Sequence, residues 1–382
     1  MIAVRNEIMQ YEAELRRVRR ELHRIPELGY EEFKTQQYIM QYLRSSGVEH
    51  VEKLAQTGVK AVIFADGAEG TVAFRSDIDA LQMQECTVHD FQSLHTGMMH
   101  ACGHDGHMAI ALCMAKYCVQ HRKALRKNVV FLFQPAEEGI GGAQRMIDEG
   151  ALQEPKVEQV FGFHLMPDVP EGNFGVKAGP LMAQTCEFDV IFRGKTAHGA
   201  MPHLGVDAVA MGVQFYQSVQ VILTRTVDPY EQALVTFGRI SGGTKRNIVA
   251  EEMRLEGTLR TFSEPVYQQI LHSMKQHMHA IAESFGGEAE LRELVVYSVV
   301  NNPLGLTEQI AGLIGEENVV RVAPKMIAED FSAYQKAVPS VFLFLGCEKE
   351  NGDNHPLHSA EFDFNERVLT YGMELYARIL NL

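Results

Sequence analysis

Residues 59–66 read VKAVIFAD, and residues 70–79 read GTVAFRSDID. Runs of the same kind, rich in Val, Ile, Leu and Phe, recur as NVVFLFQP (128–135), QVFGFHL (159–165) and SVFLFLGC (340–347). Such runs are typical of strands buried on both faces of a sheet. Helical stretches beginning near Asp105 and Gly141 alternate with them. The alternation predicts an α/β domain in which helices flank a mixed, mostly parallel sheet.

A different rhythm occupies residues 183–293. Its segments are, in order, CEFDVIFRG (strand), GVDAVAMGVQFYQSVQVIL (helix), ALVTFGRISGG (strand), MRLEGTLRTF (strand), VYQQILHSMKQHMHAIAESF (helix) and AELRELVVY (strand). The order βαββαβ is that of the split ferredoxin-like unit. A chain of 382 residues is longer than one hydrophobic core usually supports. We therefore expect a sheet domain formed by residues 1–182 and 294–382, with residues 183–293 inserted as a second domain.

Composition excludes several classes of protein. The formal net charge is -14, and no run of Lys and Arg is long enough to follow a phosphate backbone, so nucleic acid is not an expected partner. The six cysteines have no framework spacing, which favours reduced thiols in the cytoplasm. The first residues, MIAVRNEIMQ, lack the apolar stretch of a signal peptide, and no apolar run is long enough to span a membrane.

The segment MHACGHDGH (99–107) concentrates metal-ligand atoms just before an apolar helix. Cys102, His104, Asp105 and His107 lie within six residues of one another. A buried cysteine also acts as a small apolar side chain, and surface histidines are common, so the segment alone leaves a packing role open.

The segment QPAEEG (134–139) places two acids directly after a buried strand, where the carboxyl end of a sheet opens into a crevice. Consecutive side chains diverge, so Glu137 and Glu138 can serve different purposes. One can bind a metal while the other holds a water molecule and accepts its proton. The alternative is a solvated turn before a helix, where acids are favoured in any case.

Further candidates lie at other strand ends and loops of the same predicted domain. His164 lies in an apolar strand, His355 and His358 lie in NHPLHSAEF, and Asp77 and Asp79 lie in RSDIDAL. Each has an ordinary explanation as a core, loop or turn residue, but their convergence on one sheet favours a metal site. Asp79 is the candidate for a carboxylate behind a metal-bound imidazole.

These motifs together resemble a known family. MHACGHDGH, QPAEEG, GFHLMP and HPLHSAEF occur in the order found in the aminoacylase and carboxypeptidase-type dinuclear metallohydrolases, and the likeness extends from HRIPELGYEEF (23–33) to the C-terminus. The amidohydrolase branch is the most similar. It includes hippurate hydrolases, auxin-conjugate hydrolases and N-acetyldiaminopimelate deacetylases.

The resemblance implies a role for each matching residue. The implied metal ligands are Cys102, His104, Glu138, His164 and His358, and Glu137 is the implied general base. The inserted domain would act as a lid and form a homodimer or a higher homo-oligomer. His198, in GKTAHGAMPH, matches a lid histidine that reaches the active site, and Asn247 and Arg260 match the substrate clamp. Asp77 stands where the wider family has a metal-binding histidine.

The expected chemistry is hydrolysis of a linear amide bond at two divalent metal ions. Thiolate, imidazole and carboxylate ligands suit zinc or manganese, and also cobalt or nickel. A guanidinium at Arg260 would suit a free carboxylate, which favours N-acyl amino acids with an acetyl or aromatic acyl group. N-acetyldiaminopimelate is one candidate substrate. The alternatives are a dipeptidase or carboxypeptidase on the same scaffold, and a metal-binding dimer without catalytic activity.

Overall fold

A computed structural model describes residues 1–350 and 352–382. The described chain divides into two compact units. Unit 1 comprises residues 1–181, 301–323 and 330–382, and unit 2 comprises residues 182–300 and 324–329. Unit 2 thus includes a short segment that the sequence pattern did not connect with residues 183–293.

The secondary structure combines helices and strands throughout the chain. The helices are α1 (Asn6–Met9), α2 (Glu12–His23), α3 (Phe33–Ser45), α4 (His104–Gln120), α5 (Ala143–Asp148), α6 (Ala208–Arg225), α7 (Glu264–Phe285), α8 (Leu304–Ile314), α9 (Ser332–Ala337) and α10 (Val368–Ile379). The strands are β1 (His50–Leu54), β2 (Gly58–Ile63), β3 (Thr71–Asp77), β4 (Asn128–Gln134), β5 (Gln159–Pro170), β6 (Phe174–Val176), β7 (Gly179–Met182), β8 (Gln184–Arg193), β9 (Ala233–Gly242), β10 (Glu252–Thr261), β11 (Glu288–Tyr297), β12 (Val300–Asn302), β13 (Val319–Arg321) and β14 (Ser340–Glu348).

The core of unit 1 is a mixed sheet with the strand order β1-β2-β4-β3-β5-β14-β6-β13. Its central strands β4, β3, β5 and β14 are parallel, whereas β1, β2 and β4 pair antiparallel. The central strands are buried along most of their length, as their Val-rich and Phe-rich sequences predicted. Helices α2, α4 and α10 pack together beside the sheet and cover it.

The parallel arrangement brings the functional segments to one edge of the sheet. Strand β3 ends at Asp77, directly opposite Gln134 at the end of β4. The segment 135–142 continues from β4, and residues 78–103 connect β3 to α4. Because parallel strands end on the same side, these connections lie next to each other at the carboxyl edge.

Unit 2 has its own sheet and its own core. Strand β8, helix α6, strands β9 and β10, helix α7 and strand β11 follow in sequence, and the antiparallel sheet has the order β11-β8-β10-β9. Both helices pack their apolar faces onto this sheet. The arrangement is ferredoxin-like, so the predicted α/β class with a ferredoxin-like insertion is confirmed. Within the described residues, no helix is both long enough and apolar enough to cross a bilayer.

Candidate metal centre

Cys102 and His104 are held at the start of α4 by a tight turn. Gly103 has φ +80°, a conformation that favours glycine, and a Cβ at this position would lie 3.0 Å from Leu165. The turn leaves both side chains buried and facing the same space as His164. The ligand atoms of Cys102, His104 and His164 all lie within 4.8 Å of one another.

Two histidines that are distant in sequence both approach the Cys102 thiol. His164 lies in β5 with its Nε2 3.3 Å from Cys102 Sγ, and His358 Nε2 lies 3.4 Å from the same sulfur. The Nδ1 of His164 lies 2.6 Å from the Leu165 carbonyl oxygen, to which it can donate, leaving a lone pair on Nε2. The main-chain nitrogen of His358 donates to the Ala101 carbonyl, which fixes this loop beside Cys102.

The acids Glu137 and Glu138 lie on a strained turn after β4. Ala136 has φ +56°, which is unusual for a residue with a side chain. Its amide donates to Glu32 at 2.9 Å, and the Glu138 amide donates to Asp79 at 2.9 Å. Two buried carboxylates therefore fix the main chain on both sides of Glu137. This fixation sets the direction in which the Glu137 side chain leaves the turn.

Asp79 also lies behind the imidazole of His104. The Nδ1 of His104 is 3.0 Å from the Asp79 carbonyl oxygen and 3.3 Å from its Oδ1. This contact directs Nε2 of His104 toward the space near Glu138, whose Oε1 is 3.9 Å away. Metal-binding histidines are commonly oriented in this way by an oxygen on the opposite ring nitrogen.

Asp77 contacts a different set of groups. Its Oδ1 lies 2.6 Å from Nδ1 of His107, and its Oδ2 accepts from Arg75 at 2.7 Å. Nε2 of His107 in turn accepts from the Leu165 amide at 2.9 Å. Both nitrogens of His107 are thus used in holding α4 against β3 and β5, and Asp77 lies 3.7 Å from Nε2 of His104.

The electrostatics of the cluster favour a bound cation. Burial raises the pKa of the Cys102 thiol, and Glu138 and Glu137 raise it further. Burial lowers the pKa of His164 to about 3, which keeps its imidazole neutral. Although burial opposes both shifts, Asp77 and Asp79 raise the pKa of His104 to about 10, and His358 and His104 lower that of Glu138 to about 2. A divalent ion would replace the protons on Cys102 and His104.

The donor set fits a transition-metal ion. Among the described residues, His104 Nε2 is a buried polar atom without a hydrogen-bond partner, and it faces the cluster. Glu138 Oε1 is also buried and lies 3.2 Å from His358 Nε2. Buried polar atoms normally have a partner, and a metal would provide one. The ligand atoms of Cys102, Glu138 and His358 also all lie within 4.8 Å of one another. Cys102 is common to both groups.

The three predicted substrate residues all belong to unit 2. His198 is exposed, and its Nδ1 accepts a hydrogen bond from the Ala200 amide. Its main chain forms an isolated antiparallel β-bridge with Ile248. Asn247 is also exposed, and its carbonyl accepts from the Gly199 amide. These contacts bring the loops carrying His198 and Asn247 together. Arg260 is partly buried on β10, burial lowers its pKa, and it donates to the Met326 carbonyl at 2.9 Å.

Sequence reasoning missed two residues that hold the centre in place. Glu32 lies in HRIPELGYEEF, where it reads as one of several acids before a helix. Asp330 accepts hydrogen bonds from the Gln134 side chain and from the amides of Gly142 and Ala143, and it pairs with Arg75 at 3.0 Å. Neither residue lies in a dense cluster of metal-ligand residue types. Only the apolar residues near each of them in the sequence could have indicated that they are buried.

Comparison with known proteins places this arrangement in a family. The profile described as peptidase family M20/M25/M40 matches residues 73–382. The N-acetyldiaminopimelate deacetylase of Bacillus subtilis (strain 168) is 37% identical over 360 residues, covering 93% of this chain and 95% of the relative. The Priestia megaterium deacetylase of the same name is 36% identical over 371 residues, covering 96% of this chain and 97% of its own.

Solved structures agree in fold. A putative aminohydrolase from methicillin-resistant Staphylococcus aureus has a TM-score of 0.91 at 31% identity, covering 98% of this chain and 97% of its own. A Bacillus subtilis protein described as a dinuclear metal-binding peptidase of the M20 family has a TM-score of 0.83 at 30% identity, covering 97% of this chain and 98% of its own. The predicted resemblance to the dinuclear metallohydrolases is confirmed, and the chain belongs to peptidase family M20/M25/M40.

Proposed function

We propose that this chain is a dinuclear metal-dependent amidohydrolase that removes the acyl group from N-acyl amino acids. The observation that carries the proposal is the convergence of Cys102, His104, Glu138, His164 and His358 on one space, with the acid Glu137 beside them. These five residues come from four separate segments of unit 1. Packing alone gives no reason to gather thiol, imidazole and carboxylate groups at one sheet edge.

The proposed ligands are the two overlapping groups of donors described above. A pair of divalent ions, zinc or manganese by ligand type and cobalt or nickel as alternatives, would lower the pKa of a water molecule and stabilise negative charge on the amide oxygen. His104 and His164 present Nε2 because their Nδ1 atoms face main-chain oxygens. Asp79 supports this donor set through His104 and through the Glu138 amide.

Glu137 is the proposed general base and acid. It is buried and adjacent to Glu138, and one of its oxygens lies within 4.8 Å of ligand atoms of His104 and Glu138. In this role its carboxylate accepts a proton from the attacking water as the C–O bond forms. It then gives that proton to the amide nitrogen, which leaves as a free amine when the C–N bond breaks. The products are a carboxylic acid and the amino acid, and Glu137 returns to its original state.

The substrate is proposed from chemistry and from similarity. Arg260 offers a guanidinium for a substrate carboxylate, while His198 and Asn247 would contact the scissile carbonyl or that carboxylate. The 36% and 37% identical relatives are named N-acetyldiaminopimelate deacetylases, which supports an N-acetyl amino acid and N-acetyldiaminopimelate in particular. An aromatic acyl group is the competing choice.

A substrate screen tests the proposal. Purified enzyme supplemented with Zn²⁺ or Mn²⁺ would be assayed against acetyl, benzoyl and indoleacyl amino acids, N-acetyldiaminopimelate and unmodified dipeptides. Release of free amino acid from an N-acetyl substrate, abolished by a chelator and restored by metal, is the expected result. Faster turnover of dipeptides would instead favour a dipeptidase or carboxypeptidase. Bound metal without hydrolysis of any substrate would favour a non-catalytic metal-binding protein.

Unit 2 is the proposed surface for self-association. Helix α6 has an exposed apolar stripe, in which Val213 is 48%, Tyr216 41% and Val221 54% exposed, and the Tyr216 ring lies 5.3 Å from that of Phe237 on β9. Strand β9 lies at one edge of the sheet and is largely exposed along its second half. Exposed apolar stripes and open sheet edges are typical of surfaces covered by another subunit.

All six cysteines are free thiols, which supports a cytoplasmic location.

A further inference from the structure

A second cluster of metal-ligand atoms lies where the end of α2 meets the irregular segment 82–98. His23, Glu85 and His89 each offer one ligand atom, and these atoms all lie within 4.8 Å of one another. None of the three belongs to the centre around Cys102. We propose that they form an additional binding site for a divalent transition-metal ion, which fastens the segment 82–98 to α2.

The spacing of the donor atoms suits such an ion. Nε2 of His23 and Nε2 of His89 each lie 3.3 Å from the same oxygen of Glu85, Oε1. Ligands bound tetrahedrally at 2.0–2.1 Å from zinc are separated by about 3.3 to 3.4 Å. Thr87 places its hydroxyl oxygen 3.0 Å from Nε2 of His89 and also contacts Glu85. That hydroxyl, or a water molecule, can complete the coordination.

Both imidazoles are already oriented. Nδ1 of His23 lies 2.8 Å from the buried carboxylate of Asp105, which also accepts from Arg19 at 3.1 Å. A carboxylate behind a histidine is the usual support for a metal-bound imidazole, and it directs Nε2 of His23 toward Glu85. The ring of His89 is stacked on Phe91, with a centroid distance of 3.6 Å and an interplanar angle of 5°. Little side-chain entropy would be lost when an ion binds.

The charge of the cluster favours a cation at this position. The side chains of Glu85 and Asp105 are only 3% and 1% exposed. Arg19, whose guanidinium donates to Asp105, is also paired with the carboxylates of Asp363 and Glu366. A divalent ion at this position would balance the negative charge of the two buried carboxylates.

The ligand types select the ion and indicate its purpose. Two imidazole nitrogens and one carboxylate oxygen favour Zn²⁺ or Co²⁺ over Mg²⁺ or Ca²⁺, which prefer oxygen ligands. Asp105 and His104 are neighbours in the first turn of α4, and they face different clusters. The ion would therefore hold the segment preceding α4 without contacting substrate. Its loss is expected to reduce stability and to leave turnover at saturating metal within about twofold of the wild type.

Cobalt titration tests the proposal. Metal-free enzyme would be titrated with Co²⁺, and bound metal would be counted by elemental analysis. Ions bound to Cys102 give a thiolate-to-cobalt charge-transfer band, whereas an ion at His23, Glu85 and His89 adds d–d absorption without that band. His89→Leu removes one ligand, and His89→Asn is a second variant that keeps a smaller polar side chain. His279→Ala is the control, because His279 is an exposed histidine of α7.

In the wild type and in His279→Ala, we expect one equivalent of Co²⁺ to bind after the charge-transfer band has saturated. Either His89 variant should bind that equivalent more than about 100-fold more weakly, since even loss of a group behind a ligand costs 10- to 100-fold. The proposal is overturned if the wild type takes up no such equivalent, or if a folded His89 variant keeps it. A failure of the amidohydrolase assignment would be seen separately, as a missing charge-transfer band or missing turnover.

Discussion

Replacing Glu32 with glutamine should make the stability of this protein less dependent on pH. Glu32 is fully buried; its Oε1 accepts from the Ala136 amide at 2.9 Å and its Oε2 accepts from the Thr57 hydroxyl. Burial raises the pKa of Glu32 to about 7 from its ordinary value of 4.5. Glutamine in Glu32→Gln can accept from Ala136 and donate to Thr57, so it imitates the protonated acid.

The sign and size of the effect follow from linkage. A carboxyl group whose pKa is raised by folding binds its proton more tightly in the folded state. Its contribution to stability is therefore present below pH 4.5 and is lost as the pH rises to about 7. A shift of this size corresponds to about 3 kcal/mol. Wild type and Glu32→Gln should have similar stability at low pH, and the variant should be more stable by up to about 3 kcal/mol above neutral pH.

Urea unfolding followed by circular dichroism between pH 5 and pH 8 measures this difference. A chelator in every sample ensures that only the charges of the chain contribute. Glu31→Gln is the matched control, because Glu31 is the exposed neighbour in sequence. Its stability curve should remain parallel to that of the wild type. If the curve of Glu32→Gln also stays parallel, Glu32 is ionised in the folded state throughout this range and the reasoning is wrong.

Three further variants test the centre and the surface. Glu137→Gln should retain bound metal and lose turnover by about 10² to 10⁴-fold; near-normal activity would reject its role as general base. Asp79→Asn should weaken metal binding by about 10- to 100-fold in a chelator competition assay, and unchanged affinity would show that the contacts to His104 and Glu138 are dispensable. Val213→Glu, on the exposed stripe of α6, should shift the mass measured by light scattering to that of the single chain, whereas an unchanged oligomer would exclude this surface.

The fold could be predicted because its strands are unusually apolar. The runs at 128–135 and 340–347 became the buried strands β4 and β14, since only a sheet covered on both faces accommodates such sequences. The βαββαβ order of segments predicted the sheet and helices of unit 2, because its strands and helices are separated clearly in the sequence. The order of strands in the large sheet could not be derived, because β14 joins β5 through pairing between residues about 180 positions apart. Local patterns contain no information about such pairings.

The candidate site could be predicted only in part. Cys102, His104 and Glu138 lie in dense motifs of metal-ligand residue types, although each motif alone left a packing or turn role open. His164 and His358 were placed with them by convergence and resemblance, and the structure brings their Nε2 atoms to 3.3 and 3.4 Å from Cys102 Sγ. Glu32 and Asp330 were not predicted because they accept hydrogen bonds from main-chain amides and side chains in other segments. Such contacts leave no pattern in residue type.

The position of Glu137 depends on segments that carry none of the metal ligands. Its own turn is strained at Ala136, where φ is +56°, and an isolated peptide would relax to another conformation. In the folded chain Glu32, from the N-terminal segment, holds the turn in place by accepting a hydrogen bond from the Ala136 amide. Asp79, just after β3, does the same by accepting a hydrogen bond from the Glu138 amide. Gly29 adds a steric restraint, since a Cβ there would lie 2.9 Å from Ala136. The direction of the proposed base is therefore set by packing across unit 1, which explains why a dense ligand motif alone could not specify it.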